Sequence, residues 1–109
     1  MRFLMTINGG GRDPDQQLYA ETGRFVEELT QAGVLLATGG LDTNGTHIKA
    51  TGGKVTLIDG PYTEAKETIV SFALIDVRSK EEAIELSMRF WAIVKDGEGD
   101  IRQVFGPET

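Results

Sequence analysis

One segment constrains the fold of this 109-residue chain more than any other. Between Val70 and Val77 an extended chain carries apolar side chains on both faces: Val70, Phe72 and Leu74 on one, Ala73, Ile75 and Val77 on the other. A strand that is apolar on both sides belongs inside a sheet and has to be covered twice. A chain of this length forms one domain with one modest core. Both covers therefore come from a single small domain, or one of them comes from another molecule.

The segments around that strand say what lies beside it. Phe3, Met5 and Ile7 face one way and Arg2, Thr6 and Asn8 the other, so residues 2–8 read as a strand. Asp13-Pro14-Asp15-Gln16 supplies an N-cap at Asp13, a proline suited to the first helical position and a glutamine that closes a capping box. Leu18, Thr22, Phe25, Val26 and Leu29 share one helical face, and Gly33 suits the residue after a C-cap, which predicts a helix over 14–32. Residues 34–38 form a short apolar strand. Asn44-Gly45 is the strongest turn signal, and strands at 46–51 and 54–58 follow, divided by Gly52-Gly53. Asp59-Gly60-Pro61-Tyr62 predicts a break, and residues 63–67 one helical turn.

Ser79-Lys80-Glu81-Glu82 reads as a second capping box. The helix it opens carries a stripe of Ala83, Leu86, Ser87, Phe90 and Val94, widened by Ile84, Met88 and Trp91, and Lys95 sits in its last turn. Phe90, Trp91 and Met88 read as core packing. A last strand spans 100–105. The order β-α-β-(β-β)-β-α-β implies an α+β fold with a ferredoxin-like antiparallel sheet and both helices on one face. The opposite face is then bare, and a second copy of the chain, in a two-fold dimer of sheets, is the simplest cover.

Composition narrows the function. Eleven basic residues against 17 acidic ones give a net charge of −6 and a pI near 4.7, which argues against nucleic acid and anionic membranes as partners. No cysteine is present, which excludes disulfides, thiolate metal sites and cysteine nucleophiles, and a single histidine excludes a two-histidine site within one chain. No apolar run approaches the ~18–20 residues of a membrane span. The first residues read as a strand rather than a signal peptide, so the expected location is the cytoplasm. The glycine clusters match no phosphate-loop spacing, and Asp13, Asp15 and Asp59 match no cation loop, so neither a cofactor nor a metal is expected.

The residues able to carry chemistry are few. Asp59, Gly60 and Pro61 make a tight turn, or they place a carboxylate at the mouth of a cleft that Tyr62 also lines. Lys66 and Glu67 form a solvated surface pair, or Lys66 binds an anionic group that Glu67 orients. His47, on an edge strand, is exposed surface or the cheapest base near neutral pH.

The string Asp59-Gly60-Pro61-Tyr62, with Thr63-Glu64-Ala65-Lys66-Glu67, an apolar strand and a helix opening Ser-Lys-Glu-Glu behind it, resembles the YCII-related family. It is most similar to the branch named for an Asp-Gly-Pro-Phe motif, with Tyr62 in place of the phenylalanine. The resemblance implies a ferredoxin-like fold in a dimeric α+β barrel with a cleft. Its members range from proteins without known activity, through versions linked to extracytoplasmic-type sigma factors, to a dehydrochlorinase of a chlorinated aromatic. A His–Asp pair proposed as catalytic in shorter members has its histidine early in the first helix, where this chain has Gln16 and Gln17. The expectation is a small organic molecule bound near Asp59–Glu67, with cofactor-independent lyase- or isomerase-like chemistry by Asp59 or His47. The alternative is a non-catalytic regulatory or protein-interaction module.

Overall fold

The structure, a computed structural model, describes residues 1–8, 15–42, 44–61 and 69–106. Eight elements follow one another: β1 (Arg2–Asn8), α1 (Gln16–Gln31), β2 (Leu35–Gly40), β3 (Asn44–Thr51), β4 (Lys54–Pro61), β5 (Ile69–Asp76), α2 (Lys80–Val94) and β6 (Glu98–Val104). Four strands form an antiparallel sheet in the order β2-β5-β1-β6, and among the described residues β3 and β4 pair only with each other. The doubly apolar strand is thus an inner one, between β2 and β1.

Register explains the core. Phe3 of β1 stands opposite Ile75 of β5, and both are buried, Ile75 completely. Phe25 and Leu29 of α1 and Ala83 and Leu86 of α2 pack onto that pair. Both helices therefore cover the same sheet face. The alternate positions, among them Leu4 opposite Leu74 and Thr6 opposite Phe72, form the other face, and Leu4, Phe72 and Leu74 remain half-buried there.

Local chemistry sets the helix ends. Asp15 caps α1, its Oδ1 accepting from the Leu18 amide at 2.7 Å. The cap is thus Asp15, not Asp13, which with Pro14 lies outside the described residues. A short aspartate serves equally well at either position, so spacing alone did not choose between them. Gly33, at φ +73, ends the helix. Its amide donates to the Thr30 carbonyl and the Val34 amide to that of Leu29, the paired bonds of a Schellman motif. Ser79 caps α2 by accepting from the Glu82 amide at 3.1 Å, while the Glu82 carboxylate turns to Arg78. Met88, expected in the core, is 67% exposed, since its position on α2 faces away from the sheet. Val26, placed on the buried stripe of α1, is exposed as well.

Asn44-Gly45 and Asp59-Gly60-Pro61, both expected as turns, are strand instead: Asn44 pairs with Pro61, Gly45 with Gly60 and Thr46 with Asp59. Gly60 continues the ladder at φ +146, a conformation open to glycine alone. Pro61 ends a strand of a two-stranded ribbon, where a missing amide costs little. The reversal is at Gly52-Gly53, with φ +57 and +82 between Thr51 and Lys54, as a two-residue hairpin with right-handed twist demands.

Candidate functional site

A cavity of about 400 Å³ lies between α2 and the inner face of the sheet. Its floor comes from strand register. Ala73, Met5 and Ile101 stand side by side on β5, β1 and β6, and one step along the strands Ser71, Ile7 and Gly99 repeat the row. Its roof is one stripe of α2. Lys80, Ile84, Ser87 and Trp91 fall at i, i+4, i+7 and i+11, so a single helical face presents all four to the cavity. Phe90 closes the side towards α1. Its ring packs edge-on against Trp91 at 5.4 Å and tilted against Phe25 at 6.4 Å.

The polar groups that α2 presents to the cavity are few. Ser87 is only 8% exposed, yet its hydroxyl has no hydrogen-bond partner among the described residues. A buried hydroxyl without a partner carries a desolvation cost of about 1–3 kcal/mol that a bound polar atom relieves. The Trp91 indole N–H has no partner among the described residues either, and the Lys80 ammonium, on an exposed residue, stands at the cavity rim. Asp100 borders the cavity on β6, but it stands opposite Thr6, so its carboxylate lies on the outer sheet face, where Oδ2 accepts from Asn8 Nδ2 at 2.8 Å. An apolar chamber with the Ser87 hydroxyl and the Trp91 indole N–H free at its roof and a lysine at its rim suits a small organic molecule rich in hydrogen-bond acceptors.

Of the residues singled out in the sequence, Asp59, Gly60 and His47 lie on the β3–β4 ribbon. Asp59 is exposed on the β3–β4 ribbon, where its Oδ1 accepts from Thr46 Oγ1 at 2.6 Å across the two strands. His47 stands opposite Ile58, one position along, and therefore on the other face of the ribbon. Gly60 and Pro61 pair with Gly45 and Asn44, and neither Gly60 nor Gly45 borders the cavity. Tyr62, Lys66 and Glu67 lie outside the described residues. Among the described residues no three histidine or carboxylate side chains are close enough to share a metal ion, and no helix is long and apolar enough to cross a membrane.

Sequence reasoning assigned Ser87 and Trp91 to the packing stripe of α2 and gave Lys80 only a capping context. The available signal was Ser87 itself, a hydroxyl within an apolar stripe and seven residues from a lysine.

The model of the YCII-related domain matches residues 1–106. No curated protein matches the chain. Among solved structures, one similar in fold is 5-chloro-2-hydroxyhydroquinone dehydrochlorinase from Burkholderia phenoliruptrix, in complex with 2,5-dihydroxybenzoquinone. It is 15% identical, with a TM-score of 0.55 over 99% of this chain and 97% of that one.

Proposed function

The chain belongs to the YCII-related family, and from that premise we propose that it binds a small, flat, oxygen-bearing organic molecule in the cavity between α2 and the sheet. The buried, partnerless hydroxyl of Ser87 carries this reading. A ring lies against Met5, Ala73 and Ile101, and its oxygens accept from Ser87, Trp91 and Lys80. The dihydroxybenzoquinone held by the dehydrochlorinase is a compound of this type, a ring with oxygen acceptors around it. The reaction class open to these residues is a proton transfer without cofactor. The proton leaves to water, and Lys80 holds the negative charge that develops on a ring oxygen.

Two further parts of the reading concern assembly and lineage. Leu4, Phe72 and Leu74 lie half-buried on the outer sheet face with no described element over them, which supports a ferredoxin-like half that pairs with a second copy into an α+β barrel. Asp59-Gly60-Pro61-Tyr62 supports the Asp-Gly-Pro-Phe branch of the family.

Calorimetric titration with 2,5-dihydroxybenzoquinone and with ring compounds lacking oxygen tests the site. The oxygenated ring binds and the bare ring binds at least tenfold more weakly. Ser87→Ala weakens binding about tenfold, the worth of one hydrogen bond of about 1–1.5 kcal/mol, and Lys80→Met weakens it further. Unchanged affinity in both variants, with loss in Asp59→Asn, moves the site to the ribbon and refutes the cavity.

A further inference from the structure

The polar groups around the cavity divide by side, and the two sides ask opposite things of a guest. Thr38 on β2, Ala73 on β5, Met5 on β1 and Ile101 on β6 stand in one row on the inner sheet face, and all of them border the cavity. Neighbouring strands lie about 4.8 Å apart, so the row is roughly 14 Å wide. That leaves room for one ring with a hydrogen-bonding group on each side. Thr38, an exposed residue, ends the row at the β2 rim.

The Thr38 hydroxyl is already committed as a donor, since Oγ1 donates to the Phe72 carbonyl at 2.9 Å. A hydroxyl carries one proton, so Thr38 has only lone pairs left to offer and meets a guest as an acceptor alone. The α2 side is the reverse. An indole N–H and an ammonium donate and accept nothing, so Trp91 and Lys80 call for acceptors. The hydroxyls of Ser87 and Ser71 turn either way and impose no choice.

We propose that Thr38 is a specificity-determining residue, which accepts from a protonated hydroxyl on the edge of the guest that faces β2. The cavity then takes rings that carry an O–H donor opposite their acceptor oxygens, and it disfavours rings of the same shape in which every oxygen is alkylated. This role rests on the cavity reading above and adds to it the orientation and protonation of the guest. A site with a polar group in place rejects an analogue that leaves the group unpaired. Water competes at the exposed rim, so the discrimination is about one hydrogen bond's worth, roughly tenfold.

Calorimetric titration with hydroquinone, 4-methoxyphenol and 1,4-dimethoxybenzene tests the donor requirement, because these share a ring and a pair of oxygens and differ in their O–H groups. Hydroquinone and 4-methoxyphenol bind within about threefold of each other, and 1,4-dimethoxybenzene binds at least tenfold more weakly than 4-methoxyphenol. Thr38→Val keeps the branched shape, so a methyl group still covers the Phe72 carbonyl but accepts nothing, and the preference for 4-methoxyphenol over 1,4-dimethoxybenzene falls below about threefold. Should that variant not fold, Thr38→Ala replaces it with the same expected loss. Thr38→Ser keeps the hydroxyl and the preference. Ser87→Ala weakens all the probes and leaves the preference as it is. A wild type without the preference, or a folded Thr38→Val that retains it, overturns the role of Thr38 alone as long as Ser87→Ala still weakens binding. Probes that do not bind, or that bind Ser87→Ala as tightly as the wild type, overturn the cavity reading and the role of Thr38 together.

Discussion

Gly99 offers the sharpest test of how the cavity is built. It lies on β6 opposite Ile7 and forms part of the floor beneath Trp91. A Cβ at this position would run into the Thr6 carbonyl oxygen, would lie 3.0 Å from the carbonyl carbon, and would come within 3.2 Å of Trp91 Cζ2. Two of these three obstacles are backbone of an inner strand and cannot rotate aside. Overpacking costs roughly 1–3 kcal/mol where side chains can yield, so an obstruction by backbone places Gly99→Ala at the upper end, about 3 kcal/mol. For a domain of this size that lowers the melting temperature by about 13 °C. Gly23 is the control: it sits within α1 with nothing inside 4 Å of a built Cβ, so Gly23→Ala gains about 0.5–1 kcal/mol from helix propensity. Thermal unfolding followed by circular dichroism compares the two substitutions. If Gly99→Ala melts within 3 °C of the wild type, β6 is free to retreat from β1, and the described floor of the cavity is wrong.

Two other substitutions probe packing and strain. Lys95, the C-cap of α2, sits at φ +77 and ψ −40, a strained region for a residue with a side chain; Lys95→Gly raises the melting temperature by about 2–4 °C, net of the entropy that glycine adds to the unfolded chain, and a lower one contradicts the strain. Arg89 holds α2 to α1 with its guanidinium 4.9 Å from the Phe25 ring centroid and 2.6 Å from Glu28 Oε2. Both charged groups are about half exposed, so most of the contact energy comes from the ring: Arg89→Ala costs about 1 kcal/mol and Glu28→Gln less than about 0.5 kcal/mol, measured by urea unfolding. Equal losses would assign the contact to the ion pair instead.

Features governed by neighbours in sequence were legible. The alternation of Phe3, Met5 and Ile7, the cap at Ser79, the exit at Gly33 and the reversal at Gly52-Gly53 each follow from a few adjacent residues. Asp59-Gly60-Pro61 looked like a break because these residue types punctuate most chains. What kept them in a strand was pairing with Asn44-Gly45-Thr46, a partner 13–17 positions upstream that local reading cannot see. The cavity lay deeper still. Its roof is a single helix, but its floor takes Met5 from one end of the chain and Ile101 from the other. Periodicity placed Ser87 on the correct face of α2, while only tertiary structure shows that the space below it is open.

Trp91 is the single tryptophan of the chain and forms part of the cavity roof, edge-on to Phe90. All indole emission therefore originates at the one place where a guest is proposed to lodge. A quinone-like ring seated there quenches that light, and an empty chamber leaves it bright. The molecule thus carries its own gauge of occupancy, readable without any label.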